Sequence, residues 1–199
     1  MLILGLNGSA HEHGNTADLL TYGLEEAAKM GVDTDLIFIQ EALEELDNPF
    51  CTVCDPRCPG ACYQEKKLEE FYALLAESEG ILVGSPVYFG TVSAQLKCFW
   101  DLSRKLRNEK ALINKVGGAV SVGAARFGGQ EHTIRSIHDM MLVHGMTIVG
   151  DGHESADPGH NGACSHRPSI KDDYAIARVR VLARRIVEVA KATQSLRKG

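Results

Sequence analysis

Short apolar runs alternate with longer stretches of helical periodicity all along the chain, and this alternation narrows the possible folds more than any other property of the sequence. Each run followed by a helical pattern is a βα unit, and consecutive βα units wind a parallel sheet with helices on its faces. Strands are predicted at residues 2–6, 35–39, 80–84, 116–122 and 146–149. Helices are predicted at 16–30, 65–77, 92–106, 130–144 and 171–192. Five strands and five helices within 199 residues describe a doubly wound α/β fold with a five-stranded parallel sheet, whose ligands sit at the carboxyl ends of the strands. The length fits one domain over 1–199 with an adequate core. Residues 150–169, rich in Gly, His and Asp, read as one long loop, a feature that is usually functional or interfacial.

One segment breaks the rhythm. Cys51-Thr-Val-Cys54-Asp-Pro-Arg-Cys58-Pro-Gly-Ala-Cys62 puts four of the six cysteines within twelve residues, an insertion at about 48–64. Pro56, Pro59 and Gly60 forbid a continuous helix, so Cys51, Cys54, Cys58 and Cys62 can converge from one irregular loop onto a metal centre. Three readings stand side by side. Compact cysteine runs closed by Pro and Gly turns commonly ligate iron-sulfur clusters. A structural zinc site usually draws on two separated pairs, and here there is a single series. Disulfides suit a secreted chain, but Met1 leads straight into strand-like Leu2-Ile3-Leu4 with no basic leader or cleavage site, so a cytoplasmic, reducing location is expected. Cys98 reads as a small buried apolar residue on a helix, and Cys164 as a surface thiol or a late ligand.

A formal net charge of −5 argues against nucleic acid, which demands a basic face. No apolar run reaches the length of a membrane span, so no membrane association is expected. The basic residues Arg178, Arg180, Arg184, Arg185, Arg197 and Lys198 read as the solvated face of a last amphipathic helix.

After the first strand comes Asn7-Gly-Ser-Ala-His-Glu-His-Gly-Asn-Thr16, a polar loop opening directly onto a helix. Backbone amides there favour an anion, and Ser9, Asn15 and Thr16 can add donors; the plainer alternative is that Asn15 or Thr16 caps the helix. His11 and His13 stand in the same loop, either solvated or helping to neutralise a phosphate. With neither G-x-G-x-x-G nor a Walker lysine, the loop favours a mononucleotide over NAD or ATP. The third strand ends in Pro86, Val87, Tyr88, Phe89 and Gly90, and the fourth leads to Gly128, Gly129 and Gln130. Each loop can cradle a flat ring or be an ordinary turn.

Taken together the loops carry a resemblance. Gly8-Ser-Ala-His-Glu-His-Gly-Asn-Thr16 resembles the FMN-phosphate loop of the NADPH-dependent FMN reductase and multimeric flavodoxin-like group. Gly84-Ser-Pro-Val-Tyr-Phe-Gly-Thr-Val-Ser-Ala-Gln-Leu-Lys97 is similar to that group's second flavin loop. With the cysteine run between them, the resemblance narrows to the iron-sulfur flavoproteins of anaerobic archaea and bacteria, although the cysteine gaps here of two, three and three differ from that family's usual spacing. The stretch Arg126-Phe-Gly-Gly-Gln-Glu131 is also similar to members of that family.

The resemblance implies a flavodoxin-like fold, FMN, a [4Fe-4S] cluster on the four cysteines, and a homodimer or homotetramer. It implies that Ser9, Asn15 and Thr16 bind the phosphate, and His11 of the same loop is a further cofactor-binding candidate. Pro86, Val87, Tyr88, Phe89 and Gly90 would face the ribityl chain and ring, and Gly128, Gly129 and Gln130 the ring edge. The function expected is that of an electron-transfer oxidoreductase coupling a one-electron carrier such as ferredoxin to a two-electron acceptor. The alternative is an NAD(P)H-dependent FMN or quinone reductase whose cysteines form a zinc or thiol site. No nucleophile triad is evident, and no catalytic side chain is assigned.

Overall fold

The computed structural model describes residues 1–197. Strands β1 (Leu2–Asn7), β2 (Asp33–Phe38), β3 (Gly80–Pro86), β4 (Val116–Gly123), β5 (Thr147–Ile148) and β6 (Ala163–His166) form one parallel sheet. Its order is β2-β1-β3-β4-β5, with β6 also on β4. The helices are α1 (Asn15–Lys29), α2 (Ile39–Glu44), α3 (Lys67–Glu77), α4 (Ala94–Leu102), α5 (Arg104–Asn108), α6 (Gln130–Val143) and α7 (Asp173–Ala192). None of them is long and apolar enough to cross a membrane.

Successive strand residues point to opposite faces, and the two faces bury separate cores. Leu4, Leu6, Ile81, Val83 and Ala119 pack with Phe71, Tyr72, Phe99, Ile134 and Met141 of α3, α4 and α6. Ile3, Leu82 and Val120 pack with Leu19, Leu20, Val179, Leu182 and Ile186 of α1 and α7. Each fully buried aliphatic or aromatic side chain of this kind contributes about 1.5–3 kcal/mol, so the helices are held by their apolar stripes.

Three expectations are corrected. The fifth strand is split: β5 pairs with Val116 and Gly117, β6 pairs with Val120 to Gly123, and the segment 149–162 leaves the sheet between them. Strand β6 lay hidden in the predicted 150–169 loop because Ala-Cys-Ser-His carries no apolar run. The predicted helix at 92–106 breaks at Ser103, whose hydroxyl bonds Trp100 O at 2.7 Å, giving α4 and α5. Arg178 does not belong to a solvated face. It is 5% exposed and grips the 149–162 segment through both the carboxylate and the backbone oxygen of Asp151, and through Asp157. Lys198 of the same basic group lies outside the described residues.

The carboxyl edge of the sheet is fastened by one serine. Ser93 Oγ donates to Gly8 O and accepts from Leu96 N, capping α4, while Ser93 N donates to Ser85 Oγ at 3.0 Å. The loop after β1, the end of β3 and the start of α4 therefore meet at Ser93, through its side chain and its backbone amide. Replacing Ser93 by Ala removes a helix cap and strands a buried carbonyl, so unfolding free energy should fall by about 2 kcal/mol in urea denaturation.

His144, which ends α6, packs against Trp100 with ring centroids 5.2 Å apart. Burial pushes its pKa down to about 4, and Arg107 adds to the effect. Between pH 6.5 and 4 the unfolded chain takes up a proton that the folded chain refuses, so stability falls as pH falls through that window, by up to roughly 3 kcal/mol. A His144→Gln variant should lose this part of the pH slope, as read from denaturation midpoints at pH 7 and pH 4.5.

Candidate functional site

Loops following β1, β3, β4 and β6 meet at the carboxyl edge around a cleft of about 310 Å³. Ser9, His11, Asn15, Thr16, Pro86, Val87 and Tyr88 line it, together with His13, Gly123, Ala124 and Arg167. The floor depends on two glycines in contact. Gly8 N donates to Gly84 O at 2.9 Å, and a Cβ on Gly8 would sit 2.8 Å from that oxygen. A Cβ on Gly84 would meet Thr16 Cγ2 at 2.9 Å. Side chains at either position would push the first loop off the strand end.

The amino end of α1 faces this cleft. Its N-cap is Gly14, which contributes no side-chain hydrogen bond, so the amides of the first turn stay available to an anion, and the helix dipole favours one there. Asn15 is the first helical residue rather than the cap. Its Oδ1 accepts from Ser169 N at 2.8 Å, tying α1 to the turn after β6. Ser9 is buried, and its Oγ accepts from His11 N at 3.1 Å while keeping its own hydrogen to donate. Arg167 is the only Lys or Arg lining the cleft among the described residues, and its N donates to Gly123 O at 3.0 Å. Sequence reasoning passed over Arg167 because it stood inside an apparent loop; the missing signal was the hidden strand that places it at the carboxyl edge.

The remaining candidates, Phe89, Gly90, Gly128, Gly129 and Gln130, are not among the residues that line this cleft. Phe89 and Gly90 both have positive φ, 49° and 81°, in a tight turn closed by Tyr88 N to Thr91 O at 2.9 Å. Phe89 and Phe127 are fully exposed on neighbouring loops. Gly129 abuts Gly90: a Cβ there would lie 3.2 Å from Gly90 Cα. Gln130 is buried and committed to the protein. Its Oε1 accepts from Gly128 N at 2.8 Å, and its Nε2 donates to Ala125 O and Ser165 O. Its side chain shapes the 125–130 loop and joins it to β6.

The cysteine run is a loop without helix or strand. All four thiols are free; Cys54 and Cys62 are exposed, and Cys51 rests on the core. Val53, Cys58 and Gly60 have positive φ, so the chain reverses repeatedly. Asn108 Nδ2 anchors the loop to the end of α5 by donating to Arg57 O at 3.0 Å. Among the described residues no three His, Cys, Asp or Glu side chains stand close enough to hold one metal ion. The donor set nevertheless fits one chemically. Burial pushes the Cys62 thiol up, opposed by its backbone hydrogen bond, and charge on Cys58, Cys54 and Cys51 pushes it further up. Four cysteine sulfurs on one loop are the donor type that a metal centre takes once the thiols deprotonate. Cys164, by contrast, is a half-buried thiol on β6 whose pKa burial raises to about 11.

Residues 1–161 match the family described as NADPH-dependent FMN reductase. The chain is 42% identical over 194 residues to an iron-sulfur flavoprotein of Methanocaldococcus jannaschii, covering 96% of this chain and 98% of the relative. It is 37% identical over 198 residues to an iron-sulfur flavoprotein of Methanosarcina thermophila, covering 99% of both. Among solved structures, a flavodoxin, WrbA-like protein from Agrobacterium tumefaciens superposes with a TM-score of 0.69 at 19% identity, over 96% of this chain and 97% of that one. With two near full-length relatives of that kind and the same α/β architecture, the chain belongs to the iron-sulfur flavoproteins, within the NADPH-dependent FMN reductase family.

Proposed function

We propose that this chain is an FMN- and iron-sulfur-containing electron-transfer flavoprotein that couples a one-electron carrier such as ferredoxin to a two-electron acceptor. The observation that carries this reading is the pairing, on one α/β body, of an uncapped helix end facing the 310 Å³ cleft with a loop of four free thiols. When bound, FMN stores one or two electrons and a [4Fe-4S] cluster relays them singly. Everything else asked of the protein is holding and shielding. The first-turn amides of α1, the hydroxyls of Ser9 and Thr16, and the guanidinium of Arg167 bind the phosphate. Pro86, Val87 and Tyr88 bring a backbone edge against the ribityl chain and ring. Cys51, Cys54, Cys58 and Cys62 supply the cluster's thiolates. Exposed Phe89 and Phe127 on neighbouring loops give apolar side chains suited to a second copy, in keeping with a homodimer or homotetramer.

Neutralising Arg167 as Gln should weaken FMN binding tenfold or more, since it deletes a charge-assisted contact worth about 1.5–3 kcal/mol. Fluorescence titration of apoprotein with FMN measures this, and unchanged affinity would remove Arg167 from the phosphate site. Cys54→Ser should abolish iron and acid-labile sulfide in anaerobically purified protein while FMN content stays at the parental level. In that variant, reduction of FMN by ferredoxin should slow by orders of magnitude. Zinc in place of iron, or ferredoxin-driven reduction at the parental rate, would instead make this a flavin or quinone reductase with a structural thiol site.

A further inference from the structure

The backbone on either side of Arg167 is held by hydrogen bonds to three different elements. Its own N donates to Gly123 O at 3.0 Å, at the end of β4. One residue earlier, His166 N donates to Asp172 Oδ2 at 3.3 Å, and Asp172 Oδ1 caps α7 by accepting from Ala175 N at 3.1 Å. Two residues later, Ser169 N donates to Asn15 Oδ1 at 2.8 Å, at the start of α1. Only this last bond ties the arginine's turn to the helix whose amino end faces the cleft.

The bond to Asn15 has no substitute. Ser169 is wholly buried, so its N–H cannot turn to water, and the side-chain oxygen of Asn15 is the partner the fold gives it. Because that partner is an N–H, the atom of the amide that meets it is the oxygen, an acceptor that could never serve an anion. The Arg167 side chain is placed differently. It is exposed and forms no ion pair among the described residues, since Asp151 and Asp157 are engaged by Arg178 and Asp172 by the start of α7. With no side-chain partner, the guanidinium is aimed by the point at which the backbone releases it. The Asn15 clip sets that point relative to the amides of α1.

We propose that Asn15 is a positioning residue: by clipping Ser169 N to α1 it holds Arg167 where its guanidinium and the first-turn amides of α1 meet one phosphate, and it does not bind the phosphate itself. The inference rests on the reading of this cleft as the FMN phosphate site. It gives Asn15 a role that acts through Arg167, so the losses caused by removing each should not multiply.

The test titrates FMN, and riboflavin, which lacks the phosphate, into full-length apoprotein carrying Asn15→Ala, Arg167→Gln or both, with flavin fluorescence as the readout. Arg167→Gln should weaken FMN binding tenfold or more and Asn15→Ala fivefold or more, while the double variant stays within twofold of Arg167→Gln. Riboflavin should bind every variant within twofold of the parent. Ser169→Pro breaks the clip from the other side. It deletes the N–H and leaves Asn15 intact, at the first residue of a 3₁₀ turn preceded by Pro168 at ψ 126°, a backbone that accepts proline, and it should reproduce the Asn15→Ala loss. With the clip opened from both sides, the result does not hang on the folding of one variant.

Losses that multiply in the double variant would make Asn15 a direct phosphate ligand and overturn the inference. Parental FMN affinity in Asn15→Ala or in Ser169→Pro would do the same. Riboflavin affinity that falls by the same factor as FMN affinity would mean that the clip only holds the cleft together, and would likewise end the proposal. Two results would reach further back. Weakened binding by Asn15→Ala beside parental binding by Arg167→Gln would remove Arg167 from the phosphate site, and a parent that binds FMN no better than riboflavin would sink the reading of the cleft and this inference with it.

Discussion

The contact between Gly8 and Gly84 is the constraint on which the carboxyl edge depends. Two strands of a parallel sheet can end in loops that touch only where neither loop carries a side chain at the point of approach. Here the Gly8 amide bonds the Gly84 carbonyl, and Ser93 binds Gly8 from the other side while capping α4. The first loop is consequently rigid before any ligand arrives, and the uncapped end of α1 is aimed rather than merely present. Preorganisation of this kind lowers the ordering cost that binding a phosphate would otherwise carry.

The thiol loop obeys the opposite logic. It has no strand or helix, few internal hydrogen bonds and three residues in the left-handed region, so its conformation is weakly fixed by the chain itself. What surrounds it is firm: Tyr63 beneath it is buried against Tyr72, which in turn bonds Phe99 O at 2.6 Å. A soft loop on a hard floor suits a centre that organises its own ligands, because metal-ligand bonds then supply the order that sequence does not.

Legibility in the sequence followed apolar contrast. The alternation of β1, α1, β3, β4 and α7 was plain because each element buries one or both faces in a core. Strand β6 was invisible because Ala163, Cys164, Ser165 and His166 are small or polar, and with it went the position of Arg167. The burial of Arg178 was equally hidden, since an arginine at helical spacing among Val and Leu looks the same whether it meets water or Asp151. Asn15 and Gln130 were legible as polar residues near the site. Their partners Ser169, Ala125 and Ser165 were not: the Asn15–Ser169 bond crosses 154 residues and the Gln130–Ser165 bond 35, and the Gln130–Ala125 bond, five residues apart, depends on how the 125–130 loop turns.

Helix α4 links the two halves of the molecule. Its cap, Ser93, belongs to the loops of the carboxyl edge, and ten residues later Ser103 holds His144 beside a groove that reaches Cys51. At a rise of about 1.5 Å per residue, that is a spacer of about 15 Å. Because Phe99 and Leu96 on the same helix are wholly buried, the spacer cannot slide or tilt without opening the core. A disturbance confined to the thiol loop therefore meets a fixed wall before it reaches the carboxyl edge. Loss of Ser93, by contrast, loosens the helix at its origin and is felt at both ends.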